Sequence, residues 1–380
     1  MINFTRLLCG RIFEGDALRY DSKPEKPVVV WNVTQKCNLF CRHCYSNSSM
    51  DCFNEDLSTG EAARFIRGLH KFSVPVLLFS GGEPLLRSDI YELGEEAKTR
   101  GIRTVISTNG TLITKNAAKK IRNSGFDYVG VSFDGVGASN DMFRGKSGAF
   151  KMALAGIRNL RDAGQKTGIR FTITRHNSRS IKDIFELAER ENVDRVCFYH
   201  LVYTGRGNTM ISDDLDNNTA RAVVDSIMQW ALSLHERGMR KEVLSVDNHA
   251  DGVYLYLKTL GKDPGRAREI LRLLESNGGN SSGASIACVD NKGEVHADQF
   301  LRSQSFGNVK DRDFGDIWTD PSIELLHKLK NRRSFLKGRC SRCRHVAICN
   351  GNFRARAEAI HKDIWQEDPA CYLTDKEISQ

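Results

Sequence analysis

Cys37-Asn38-Leu39-Phe40-Cys41-Arg42-His43-Cys44-Tyr45 is the stretch from which the rest of the 380-residue chain is read. Its spacing is C-x3-C-x2-C, with an aromatic residue after the last thiol. Three thiolates on one short loop hold three irons of a [4Fe–4S] cluster and leave the fourth iron open to a small molecule. The competing reading is a zinc loop whose fourth ligand lies elsewhere. Zinc loops mostly pair cysteines as two C-x2-C units or finish with histidines. His43, between Cys41 and Cys44, is too close to serve as the usual distant ligand. The spacing favours the cluster.

The thiols follow an apolar run at 28–31. Further runs rich in Val, Ile and Phe, at 76–79, 103–107, 128–132, 169–173 and 196–199, read as buried parallel strands. Helical patterns lie between them. Ser58 and Glu61 make a capping box ahead of Ala62, Phe65, Ile66 and Leu69. Thr114 caps a helix ending near Gly125, and Gly164 follows the one containing Leu154, Ile157 and Leu160. Six strand–helix units define an α/β chain, either an open doubly wound sheet or a partial barrel, and periodicity does not separate the two. In both, the cysteine loop follows the first strand at its C-terminal end, where such folds place active sites. Beyond Gly238 the pattern changes. Asp263-Pro264-Gly265 and the Gly/Ser/Asn stretch 277–283 break the chain into loops and short elements.

Hydrophobic content of 40% and charged content of 27% are those of a globular protein. No apolar stretch approaches the roughly 20 residues that span a bilayer, so no membrane association is expected. Eleven cysteines without an export signal argue for metal ligation in a reducing, cytoplasmic setting. The net charge of +9 is spread along the chain without a Lys/Arg block. That weakens a nucleic-acid reading and suits an anionic small molecule.

Two glycines just past the second strand, in Ser80-Gly81-Gly82-Glu83-Pro84, let a ligand approach the backbone, or simply make a tight turn. Ser107-Thr108-Asn109-Gly110 and Ser132-Phe133-Asp134-Gly135 place small polar residues where strands stop, as turn chemistry also would. Taken with the cysteines, these segments resemble the radical S-adenosylmethionine enzymes. The resemblance implies a partial (β/α)6 TIM-type barrel and an open iron that chelates S-adenosyl-L-methionine. It implies cofactor contacts from Tyr45, Gly81, Gly82, Glu83, Asn109, Ser132, Asp134 and Arg144, with Glu83 on the methionine amine and Arg144 on its carboxylate.

Cys340, Cys343, Cys349 and Cys371 form a second set, C-x2-C-x5-C with a distant fourth thiol. Spacing alone suits a structural zinc. The set resembles the auxiliary-cluster (twitch/SPASM-like) domains attached to radical S-adenosylmethionine cores, which implies a second [4Fe–4S] cluster. One auxiliary cluster is expected, because Asp298 and Phe353 stand where the fuller pattern has cysteines. Cys9, Cys52, Cys197 and Cys288 read as incidental thiols. The expected division is an N-terminal extension at 1–26, the radical core at 27–239 and the auxiliary cluster domain at 240–380.

Further segments narrow the resemblance to the tetrapyrrole-modifying branch. They include Thr204-Gly-Arg-Gly-Asn208, Asp251-Gly-Val-Tyr254, Asp290-Asn-Lys-Gly-Glu-Val-His-Ala-Asp298, Cys349-Asn-Gly-Asn-Phe-Arg-Ala-Arg356 and Asp368-Pro-Ala-Cys-Tyr372. The branch implies an iron tetrapyrrole substrate and an electron donor such as a ferredoxin or flavodoxin. The activity implied first is removal of two acetate side chains from 12,18-didecarboxysirohaem in haem biosynthesis. A haem d1 enzyme, replacing propionates with oxo groups, is the alternative within the branch; a radical peptide maturase is the alternative outside it. His200, Tyr203 and Arg206 lie past the sixth strand, where substrate would sit, or where a capped loop would need them. His296 reads as a structural histidine before a ligand.

Overall fold

The computed structural model describes residues 1–21, 26–52 and 55–379. Its strands are β1 (Ile2–Asn3), β2 (Val28–Asn32), β3 (Val76–Ser80), β4 (Arg103–Thr108), β5 (Tyr128–Ser132), β6 (Thr167–Ile173), β7 (Arg195–His200), β8 (Glu242–Val246), β9 (Ile286–Val289) and β10 (Val295–His296). They form one sheet in the order β1-β8-β7-β6-β5-β4-β3-β2-β9-β10. From β2 to β8 every pairing is parallel. β9 continues the parallel sheet beside β2, while β1 and β10 pair antiparallel at the two edges. The sheet curls without closing: it is a partial barrel.

The six runs read from the sequence are β2 to β7, each within two residues of its observed ends. The helix signals also act as read. Ser58 and Glu61 cap Thr59–Lys71 reciprocally, and Thr114 accepts from Ala117 N to start Lys115–Asn123. Two further parallel strands lie past residue 240, at 242–246 and 286–289. They are short, and only pairing with neighbours distant in sequence makes them strands. Within 1–26, Ile2 and Asn3 pair with Ser245 and Leu244, so part of the N-terminal stretch belongs to the same sheet. Asp263-Pro264-Gly265 is not a break. Asp263 accepts from Arg266 N and Pro264 occupies the first turn of Pro264–Asn277, since a proline there lacks only an N–H that would go unused.

Strand alternation sorts the side chains. Val29, Leu77, Ile106, Val129, Ile169, Val196 and Val243 face outward and pack with the helices into the apolar core. The inner face is polar by comparison: Ser132 is registered with Arg170, and Thr172 with Tyr199. A barrel filled only for stability packs its interior with branched apolar side chains. This interior is built to hold something else.

Candidate active site

The C-terminal ends of β2 through β8 surround a cavity of about 140 Å³, whose wall includes Cys37, Cys41 and Cys44. Each thiol has a polar side-chain neighbour. Asn109 Nδ2 lies 3.9 Å from Cys37 Sγ, Arg144 Nη1 lies 3.7 Å from Cys41 Sγ, and Ser46 Oγ lies 3.4 Å from Cys44 Sγ. Burial pushes the Cys37 thiol up to about 12 and raises that of Cys41. Buried thiolates therefore need a strong local positive charge, which iron supplies. Among the described residues no three His, Cys, Asp or Glu side chains converge on a single metal-ion position. The donor set suits a cluster, where each thiolate takes its own iron and nearby N–H and O–H groups meet the sulfurs.

The cysteine loop is fixed from several sides. Gly82 N donates to Thr34 O at 2.7 Å, and Glu83 N to Lys36 O at 2.8 Å. A Cβ on Gly82 would stand 2.1 Å from Lys36 O, so only glycine lets these two backbones touch. Phe40 N and Arg42 N donate to the carbonyls of Arg144 and Phe143. Arg206 completes the clamp. Its Nε donates to Cys41 O at 2.8 Å and its Nη1 to Ser48 O at 3.1 Å, with the guanidinium 4.0 Å above the Phe40 ring. Of the two sequence readings for Arg206, this geometry is that of a residue holding a loop.

Tyr45, Gly81, Gly82, Asn109, Ser132 and Arg144 line the cavity. Tyr45 is anchored by Asn32 Oδ1 at 2.9 Å and Ser80 Oγ at 3.1 Å. Glu83 and Asp134 are fully buried behind this surface. Glu83 accepts from Thr108 Oγ1 at 2.7 Å, Asn109 N at 2.8 Å and Leu85 N at 3.1 Å, leaving about one of its four lone-pair sites. Burial raises its pKa, and those three donors oppose the shift. Asp134 accepts from Thr172 N at 3.1 Å and sits 2.7 Å from Arg144 Nε and 3.6 Å from His43 Nε2. Burial would lower the Arg144 pKa, but Asp134 and the Cys41 thiol raise it overall. Arg144 is thus a fixed cation wedged between the Asp134 carboxylate and the Cys41 thiol.

Cys340, Cys343, Cys349 and Cys371 come together in one small pocket closed by Val346, Leu373 and Ile378. Burial pushes the Cys371 thiol up to about 12 and raises the other three. The region is bolted to the barrel by a buried ion pair. Arg356 grips Asp368 through Nε at 2.9 Å and Nη2 at 2.7 Å, and also donates to Leu201 O and Asp247 O past the ends of β7 and β8. Asp298 and Phe353 carry other duties. Asp298 accepts from Phe300 N and Leu301 N, and Phe353 packs edge-on against Phe300. His296 is held by Gln304 O at 2.8 Å with Asp290 at 3.6 Å, and it lines neither cysteine set's pocket.

His200 also lines the cavity, with Nε2 2.8 Å from Asp251 Oδ2; Asp251 in turn accepts from Tyr372 at 2.6 Å, beside Cys371. Tyr203 faces a wider groove of about 640 Å³ with Arg302, Ala355, Ala359 and Lys362, and donates to Asp214. Tyr45 and Phe300, 5.1 Å apart, belong to the walls of both spaces. Arg170, Tyr199 and Asp247 complete the cavity and escaped the sequence reading. The available signal was a charged residue inside the apolar run Gly168-Ile-Arg-Phe-Thr-Ile173.

The radical SAM superfamily matches residues 31–188. The chain is 51% identical, over its whole length and 99% of the relative's, to the Fe-coproporphyrin III synthase of Methanosarcina barkeri. It is 42% identical to the pre-heme d1 synthase of Dinoroseobacter shibae, covering 93% of this chain and 87% of that one. Streptococcus suis SuiB bound to its precursor peptide shares the fold, with a TM-score of 0.71 over 92% of this chain and 76% of that one, at 19% identity. The chain belongs to the radical SAM superfamily. Within it, the chain is similar over most of its length to the two enzymes just given.

Proposed function

We propose that this chain removes the two acetate side chains of 12,18-didecarboxysirohaem to give Fe-coproporphyrin III, each ring carbon that loses an acetate keeping its methyl group. The observation that carries this is the likeness to Fe-coproporphyrin III synthase from end to end, both cysteine sets included in the aligned length. Cys37, Cys41 and Cys44 would hold the catalytic [4Fe–4S] cluster. When bound, the reduced cluster and S-adenosyl-L-methionine supply the 5′-deoxyadenosyl radical that takes a hydrogen atom from the substrate. The chain's own contribution is placement. Arg144 presents a fixed cation beside Cys41, Ser132 and Asn109 offer polar groups on the wall, and Tyr45 with the glycine pair shapes the remainder. Glu83 and Asp134 keep Asn109 and Arg144 where they are.

The macrocycle is assigned to the groove, whose volume lies within the roughly 300–1,000 Å³ usual for small-molecule sites. Arg302 and Lys362 stand on its wall for the substrate's carboxylates, and Tyr45 and Phe300, in edge-to-face contact, form the wall it shares with the cavity. Cys340, Cys343, Cys349 and Cys371 would hold a second [4Fe–4S] cluster within an auxiliary region at 240–380, whose strands β8 and β9 extend the sheet of the core at 27–239. A ferredoxin or flavodoxin is the proposed electron donor. No helix among the described residues is long and apolar enough to cross a membrane, in keeping with a cytoplasmic enzyme. The test is anaerobic incubation of reduced, reconstituted protein with didecarboxysirohaem and the cofactor, followed by product mass. Loss of both acetates supports the reading. Oxo groups at former propionate positions hand the function to the haem d1 reaction.

A further inference from the structure

Arg170 sits mid-strand on β6 and points into the barrel, where it lines the cysteine cavity together with Ser132 and Thr172. It also lines a second cavity at the opposite end of the barrel, as do Leu78 and Tyr199, so it forms the floor between the two. Its guanidinium makes no hydrogen bond or ion pair with any described residue. Arg170 is half-buried, and the buried arginines differ from it: Arg144 pairs with Asp134, Arg195 with Glu242 and Arg356 with Asp368, Arg332 is spent on backbone carbonyls and Asn280 Oδ1, and Arg354 on backbone carbonyls. A half-buried guanidinium lining a cavity without a partner keeps its N–H donors free for an anion that enters there.

The fold makes room for it. The guanidinium stacks 4.6 Å over the Tyr199 ring. Across the sheet, a Cβ on Gly130 would stand 2.8 Å from Arg170 Cδ, so a glycine in the middle of β5 leaves the notch through which the side chain extends. Asp247, at the end of β8, is the carboxylate facing the same cavity; it makes no ion pair with Arg170, and burial pushes it up to about 7, with Arg356, the N-terminal amine and Arg170 opposing. Near neutrality its carboxyl is partly protonated and can donate to an anion's oxygen.

We propose that Arg170 is a specificity-determining residue that binds a side-chain carboxylate of the tetrapyrrole at the floor of the cavity, an inference that rests on the function proposed above. The planar fork of arginine matches a carboxylate through two parallel hydrogen bonds, which strengthen in a water-poor site. The cofactor's own carboxylate is the competing ligand, and Arg144, 3.7 Å from Cys41 Sγ, is placed for it.

The test is absorbance titration of the reconstituted holoenzyme with three probes: Fe-coproporphyrin III, its tetramethyl ester, and Fe-uroporphyrin III, which adds acetates to the propionates. R170M should weaken binding of one or both acids roughly ten- to a hundred-fold and leave the ester unchanged; R170K should recover part of the loss. Loss confined to Fe-uroporphyrin III assigns Arg170 to an acetate, and loss on both acids to a propionate. G130A, which pushes the side chain from its notch while keeping the guanidinium, should weaken the acids in the same direction. Iron content matching wild type reports an intact fold. Equal affinity of R170M and wild type for both acids overturns the inference while leaving the functional reading in place. Loss of cofactor cleavage in R170M gives the residue to the cofactor and also overturns it. A wild type that binds no iron tetrapyrrole overturns the functional reading and this inference with it.

Discussion

Replacing Arg206 with methionine keeps the stem of the side chain and removes its charge. The lost contacts are the hydrogen bonds from Nε to Cys41 O and from Nη1 to Ser48 O, and the stacking on Phe40. Hydrogen bonds from a charged donor contribute about 1.5–3 kcal/mol each, and an exposed cation–π contact about 0.5–1 kcal/mol. Phe40 is 58% exposed, which puts the stacking at the low end. The contacts share one loop and do not add fully, so a local loss of about 2–4 kcal/mol is expected. That raises the open population of the cysteine loop roughly 30- to 700-fold. The backbone bond from Arg206 N to Cys44 O at 2.9 Å survives the substitution, so the loop loosens without detaching. The assay is anaerobic loss of iron to excess chelator, followed by absorbance, with tetrapyrrole titrated in parallel. Iron loss should accelerate in Arg206→Met while tetrapyrrole affinity changes little. Wild-type iron retention combined with lost tetrapyrrole binding would refute the clamp and return Arg206 to the substrate.

Gly82→Ala forces a Cβ against Lys36 O, so it should lower both iron retention and cofactor cleavage; wild-type values in both would remove the close-approach argument. Cys371→Ala should reduce iron from about eight to about four per chain, and zinc in the second site would remove the auxiliary cluster. Asp247→Asn should make stability depend less on pH. The folded carboxyl keeps its proton up to about 7, whereas the unfolded one releases it near 4. Wild-type stability therefore falls as pH rises between those values, and the Asn variant should be the more stable at pH 8 by up to about 4 kcal/mol. The difference should shrink to less than half by pH 5; an unfolding difference that ignores pH would refute the assignment.

Much of the barrel was legible because its signals are local. The capping box at Ser58 and Glu61, the cap at Thr114 and the six apolar runs act through neighbours a few residues away. The C-x3-C-x2-C spacing likewise places three thiols on one loop before anything else folds. The strands at 242–246 and 286–289 carried no comparable signal, since their edges are defined by pairing with β7 and β2.

The sequence by itself determined the superfamily, the strands that carry the cysteine loop and the two cysteine sets, because each is written in short-range spacing. Tertiary structure alone decided which polar residues face the cavity and which stand behind it. Glu83 and Asp134, just past strand ends like Asn109, are turned away from the cavity and engaged by Thr108, Thr172 and Arg144. Arg206 crosses to the back of the cysteine loop, and Arg170, at the cavity floor, makes no hydrogen bond or ion pair with a described residue. The reason is geometric. Which strand ends meet, and at what angle, is set by the curl of the sheet, and that curl sums pairings between residues as far apart as Ile2 and Ser245.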